Sequence, residues 1–252
     1  MSFNPQKISD ISCRGVKVAL FGHAGAGKTY QISTLSRPFI VSTEKGLLTL
    51  LRLPECQDIQ YGEVTKIDDL KDMLDWLKAN PNEYDTIVLD SVSELAEICL
   101  REKKTPKGDN RKAYLDMADE VTKKLLEFLN IEDKDIVMIF QVERIEDSDT
   151  GAVMYSPSVP SKTFAQKMPY KFDETLALRT ANVTDDTGNP YIDRWIQCQN
   201  DGRWNCKDRS GYLEMEMQAD LGRILRIIHG RGVDPEEKTT TGENYGESDT
   251  DY

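Results

Sequence analysis

Apolar positions along the chain follow two periods that alternate. Residues 16–21 (VKVALF), 38–43 (PFIVST), 86–90 (TIVLD) and 135–141 (DIVMIFQ) are short apolar runs that read as buried strands. Between them, Ile67, Leu70, Leu74 and Leu77 recur at helical spacing across residues 66–79. Leu115, Ala118, Val121, Leu125 and Leu129 do the same across residues 114–129. Strands alternating with helices predict right-handed βαβ units around a parallel sheet. After residue 170 the pattern turns to strands, at 172–179 and 191–199, with a hairpin turn near 200–202 and a closing helix over 218–229. The expected fold is a three-layer α/β domain with a mostly parallel central sheet and antiparallel strands towards the C-terminal end.

The first run ends in a motif. Gly22, His23, Ala24, Gly25, Ala26, Gly27, Lys28 and Thr29 fit G-x-x-x-x-G-K-[ST] in full. Glycines there let successive backbone N–H groups face one concavity, which suits phosphate, and a following helix adds its positive end. Lys28 then reaches the β- and γ-phosphates, and the Thr29 hydroxyl completes a Mg²⁺ shell. With Tyr30, next in the chain, these residues form the expected ATP contact set.

The other strand ends extend the chemistry. Asp90 closes TIVLD, emerges at the carboxyl edge beside the loop, and is the carboxylate expected to hold Mg²⁺. Hydrolysis needs a group to orient or deprotonate water. Glu44, after the second strand, is favoured by placement, and Glu94, shortly past Asp90, is the competitor. Gln141 ends the fourth strand; it reads equally as a capping amide or as a donor to the γ-phosphate.

Composition changes this picture in three places. With 252 residues, 38% hydrophobic and 30% charged, the chain can bury one substantial core. No apolar run is long enough to cross a bilayer. The start, MSFNPQKISD, lacks a signal-peptide core, so a cytoplasmic location is expected and no membrane partner. Five cysteines suit a reducing compartment; Cys198 and Cys206 read as thiols flanking a turn rather than as a zinc site. The net charge of −12 is uneven: residues 234–252 carry seven acids and one lysine. The expected organisation is a short N-terminal arm (1–13), one ATPase domain (14–232) and a disordered acidic tail (233–252). The tail is expected to solubilise, to compete for basic loops or to dock on a partner.

Two basic stretches remain. Arg101, Lys103, Lys104, Lys107, Arg111 and Lys112 crowd a segment broken by Pro106 and Gly108. Residues 143–171 run without clear periodicity, interleaving Arg144, Lys162, Lys167 and Lys171 with Tyr155, Phe164 and Tyr170. Cations alternating with rings suit single-stranded nucleic acid, and long loops in compact domains are usually functional.

Together, the loop 22–29, the run FIVSTEKG with Glu44, YDTIVLDS with Asp90 and Ser91, and IFQ with Gln141 resemble the RecA-type ATPase core, in its order and approximate spacing. A late Cys206-Lys207-Asp208-Arg209, then Ala219-Asp220-Leu221, makes the chain similar in particular to the short RecA-like nucleotide-binding proteins of phages associated with single-strand annealing and recombination. The resemblance covers about residues 14–230 and implies a RecA-like fold. It implies Glu44 as water activator, Gln141 as γ-phosphate switch, residues 143–171 as the mobile DNA loop and 101–112 as a first DNA loop. It also implies Lys207 and Arg209 as cations reaching a neighbouring subunit's nucleotide, hence a homo-oligomer with ATP at its interface. A single-strand annealing or single-strand-binding protein is a further implied partner, and the compartment would be the host cytoplasm. RecA has Asn where Phe140 stands here. A small-molecule or nucleotide kinase, and a nucleotide-locked scaffold without hydrolysis, are the alternatives.

Overall fold

The unbroken apolar runs lie side by side as the parallel heart of one sheet. The computed structural model describes residues 15–44, 46–104, 110–148, 150–159 and 170–230. In chain order its strands are β1 (Lys17–Gly22), β2 (Pro38–Ser42), β3 (Gln60–Glu63), β4 (Thr86–Asp90), β5 (Asp135–Glu146), β6 (Val153–Pro157), β7 (Glu174–Thr184), β8 (Pro190–Gln197), β9 (Lys207–Asp208) and β10 (Glu216–Gln218). The α-helices are α1 (Leu48–Leu51), α2 (Asp69–Ala79), α3 (Val92–Lys103), α4 (Asn110–Leu129) and α5 (Leu221–Ile228). Across the sheet the order is β10-β8-β7-β1-β5-β4-β2-β3. From β3 to β7 neighbours run parallel; β8 and β10 are antiparallel additions. The expected fold class is the one observed.

Side-chain alternation along the strands sorts the core onto two faces. Ala19 and Phe21 of β1, Ile87 and Leu89 of β4, and Ile136, Met138 and Phe140 of β5 pack against α2, α3 and α4. Val18, Leu20, Val88, Val137 and Ile139 face the other way, towards α5 and the 3₁₀ helix Thr29–Thr34. Burying a large apolar side chain contributes about 1.5–3 kcal/mol, so fully enclosed Phe21, Phe128 and Phe140 weigh heavily.

Several elements differ from the sequence expectation. The apolar face of α4 runs through Ala113, Met117, Val121, Leu125 and Phe128, while Leu115 points to solvent. Gln218 closes strand β10, and the last helix begins three residues later. The turn at 200–202 exists, with the Asn200 and Asp201 carboxamide and carboxylate accepting N–H groups of Gly202, Arg203 and Trp204. It joins no simple hairpin, because residues 203–205 pair with Tyr155 and β9 pairs with β7. The β7–β8 hairpin turns instead at 185–189, around Gly188.

Residues 143–171 are not a loop over their first half. Strand β5 continues to Glu146, and β6 returns along it from Glu146↔Val153 to Val142↔Pro157. This two-stranded arm is mostly exposed, so no buried face imposes a readable period. Residues 160–169 lie outside the described residues, as do 1–14 and 231–252.

Candidate functional site

Parallel pairing brings four strand ends to one edge. Gly22 stands opposite Gln141 across β1 and β5, and Ser42 opposite Asp90 across β2 and β4. There a cleft of about 850 Å³ opens, lined by Lys28, Thr29, Glu44, Asp90, Gln141 and Arg194 among others.

The loop between β1 and the 3₁₀ helix forms one wall. Gly25 (φ +76°) and Gly27 (φ +101°) hold left-handed conformations that L side chains rarely adopt. Among the described residues, the N–H groups of Ala24, Gly25, Gly27 and Lys28 have no protein acceptor. The Lys28 ammonium donates to the carbonyls of Gly22 (2.8 Å) and His23 (2.9 Å). Burial pulls its pKa below the usual lysine value, against the raising effect of Asp90 and Glu44. The helix after the loop is six residues of 3₁₀ geometry, shorter than the long α-helix the motif suggests, so its dipole adds little.

Facing Lys28, the Thr29 hydroxyl donates to Asp90 Oδ2 at 2.8 Å. Burial raises the Asp90 carboxyl, with Glu44 adding to it, while the Thr29 hydrogen bond and Lys28 oppose. Glu44 is held by Ser91, whose hydroxyl donates to Glu44 Oε1 at 2.7 Å. Thr43 clamps the same corner: its Oγ1 accepts from Ser91 N at 2.7 Å and donates to Ser91 O at 2.9 Å. The Asp90–Ser91 peptide is cis. Glu94 is turned away from the cleft and pairs with Arg101 at 2.9 Å. Gln141 hydrogen-bonds through its backbone, to Ser93 Oγ and from Ser158 N, leaving its side chain on the cleft wall.

A family profile described as an AAA domain matches residues 14–210. The chain belongs to that family. No curated protein matches it. The AAA domain is a P-loop nucleotide-binding domain, and the loop 22–29 carries the sequence pattern of a P-loop.

Other residues singled out in the AAA domain fall in three places. The α3–α4 corner carries Arg101, Lys103 and Lys104 before it, and Arg111 and Lys112 after it; Lys107 lies outside the described residues. Glu102 Oε1 accepts from Ile67 N at 3.0 Å, which ties the end of α3 to the segment that follows the carboxyl end of β3. Lys103 pairs with Glu120, and Lys104 sits 5.3 Å from the Tyr114 ring centroid. On the β5–β6 arm, Arg144 pairs with Glu146 at 2.9 Å; Lys162, Phe164 and Lys167 lie outside the described residues.

Lys207 and Arg209 are at the opposite, amino edge, where β9 joins the start of β7. Lys207 donates to Phe172 O at 2.8 Å, and Arg209 pairs with Asp173 at 2.8 Å. Neither approaches its own P-loop cleft.

Two features escaped the sequence reading. Arg194 of β8 reaches the P-loop, donating from Nε to Ala26 O at 3.2 Å. His23 packs edge-on against Tyr155 and Trp204 (5.9 and 6.0 Å between centroids), and these two stack at 4.6 Å, linking the P-loop to the β5–β6 arm. No local pattern signals either contact, since each joins residues more than a hundred positions apart. Among the described residues no helix is long and apolar enough to cross a membrane.

Proposed function

We propose that the protein hydrolyses Mg²⁺-bound ATP in the P-loop cleft, and that single-stranded DNA bound along the same edge accelerates turnover in the service of recombination or strand annealing. The observation that carries the ATPase reading is the meeting of Lys28, the Thr29–Asp90 pair and Glu44 in one cleft.

In this reading the free N–H groups of the loop and Lys28 bind the phosphate oxygens. Thr29 Oγ1 and Asp90 Oδ2 would hold Mg²⁺; a hydroxyl and a buried carboxylate side by side are hard oxygen donors that suit it. When bound, the ion neutralises charge on the transferring phosphoryl group. Glu44, aimed by Ser91, takes the proton of the attacking water. Gln141, at the root of the β5–β6 arm, touches the γ-phosphate and passes its presence to that arm. A second copy supplies Lys207 and Arg209 to this nucleotide, and a single-strand annealing or single-strand-binding protein is the accompanying partner.

Support for DNA comes from placement. Glu102 ties the basic end of α3 to the segment after β3, and the β5–β6 arm springs from Gln141 on the cleft wall. Arg101 and Arg144 are ion-paired at the surface, yet exposed pairs are worth about 0–1 kcal/mol, so phosphates can displace the carboxylates.

Steady-state ATP hydrolysis with and without a single-stranded oligonucleotide tests the reading. Turnover should rise several-fold with DNA at low salt, and less at moderate salt as counterion release weakens binding. Hydrolysis unchanged by saturating oligonucleotide at both salts would remove the DNA role. Phosphate transfer to a small acceptor would restore the kinase alternative.

A further inference from the structure

The residues assigned so far leave the cleft short of positive charge. Lys28 is the sole cation among them that the same chain contributes, against the carboxylates of Asp90 and Glu44, and a polyphosphate adds several negative charges. Even with a bound dication, that ensemble is strongly anionic, and the desolvation of charge in a partly closed cleft makes the imbalance costly.

Arg194 corrects it. Strand β8 places it in register with Thr180 of β7, two strands from the P-loop strand β1, and its side chain crosses back over the loop. Nε donates to Ala26 O and Nη1 to Ile192 O, both at 3.2 Å. The Nε atom lies 3.5 Å from where a Cβ on Gly27 would stand. The guanidinium is thus fixed on the flank of the loop and lines the same cleft as Lys28 and Thr29. It has more N–H donors than those two carbonyls engage. Among the described residues no carboxylate is within ion-pair distance of it, unlike Arg101, Arg144, Arg179 and Arg209. Clipping the Ala26 carbonyl needs only a neutral donor. A fixed, unpaired guanidinium facing a cleft of bare N–H groups is suited to an anion.

We propose that Arg194 is a phosphate-binding residue of the nucleotide site, supplied by the chain's own antiparallel strand β8 and gripping the polyphosphate from beside Ala26 and Gly27 of the loop. This role rests on the nucleotide reading of the cleft. It gives the antiparallel extension of the sheet a part in the chemistry.

Calorimetric titration of the full-length protein with Mg²⁺-ATP, Mg²⁺-ADP and AMP, for wild type, Arg194→Gln and Arg194→Lys, tests it, alongside the melting midpoint of each free protein. Arg194→Gln should weaken ATP about tenfold or more, the loss of one charge-assisted contact, ADP less, and AMP least. Arg194→Lys should recover part of the loss, and the free-protein midpoint should stay within about 2 °C. If the glutamine variant melts early, the lysine variant carries the ATP-to-AMP comparison. ATP bound as tightly by Arg194→Gln as by wild type would overturn the proposal. So would an equal loss for all three ligands, which is the mark of a residue that only holds the loop. Wild type that binds no Mg²⁺-ATP overturns the nucleotide reading as well, which a failure confined to the variants does not.

Discussion

Glu174 opens β7 with its side chain fully enclosed, facing Asp208 and the turn after it. Burial, and then the charge of Asp208, push its pKa up to about 8, while the Ser210 N–H opposes them. The folded protein therefore keeps a proton here that the unfolded chain releases near the ordinary glutamate value. The stability that the proton confers is complete below the unfolded pKa and is lost as pH rises through about 8. The urea midpoint should accordingly fall from about pH 5 to about pH 8 and level off above it, and Glu174→Gln should flatten that fall and be the more stable protein at pH 9. A glutamine variant that follows wild type across this window would count against the account. Residues of the site differ in how far the chain revealed them. The P-loop is legible because its eight residues act together in one local turn. Asp90 and Glu44 are legible because one ends an apolar strand and the other closely follows one. Arg194 is not, since its contact with Ala26 depends on β8 being folded back across β7.

Between the P-loop and the rest of the domain stands the 3₁₀ helix Thr29–Thr34, too short to be stable by itself. The start of α5 secures it: Leu221 N donates to Gln31 Oε1 at 3.0 Å, and Gly222 N to Thr34 Oγ1 at 2.9 Å. A Cβ on Gly222 would lie 1.8 Å from Thr34 O, so only glycine allows this approach. Gly222→Ala should cost about 1–3 kcal/mol by overpacking and also weaken nucleotide binding through the displaced helix. Thermal melting and titration of the same variant check both effects; unchanged nucleotide affinity would separate α5 from the site. Element boundaries show which signals were available. Helix α3 carries a capping signature, Ser91 accepting from Glu94 N at 3.3 Å, that went unread beside the strand-end chemistry of Asp90. Strand β6 carries none, because an exposed arm needs a partner strand and not a buried face.

At the scale of the whole molecule, the sheet has two chemically different edges. The carboxyl edge holds the P-loop cleft, and the amino edge holds Lys207 and Arg209. If a second copy completes the nucleotide site, the amino edge of one chain meets the carboxyl edge of the next, a head-to-tail contact. Particle mass in solution should then rise when Mg²⁺-ATP is added, and a Lys207→Ala, Arg209→Ala double variant should stay at the smaller mass. Mass unaffected by nucleotide in the unaltered protein would contradict that arrangement. The layered α/β architecture was legible from the alternation of periods, while the joining of residues 203–208 to β6 and β7 was not, since it depends on distant strands.

The most direct measurement for the proposed ATPase site is turnover of Glu44→Gln beside its affinity for Mg²⁺-ATP. The variant keeps the shape of the Ser91 contact and removes the carboxylate proposed to accept the proton of water. Binding within about twofold of wild type with turnover reduced about a hundredfold or more is the predicted result. Turnover equal to that of wild type would contradict Glu44 as the residue that activates water in this cleft.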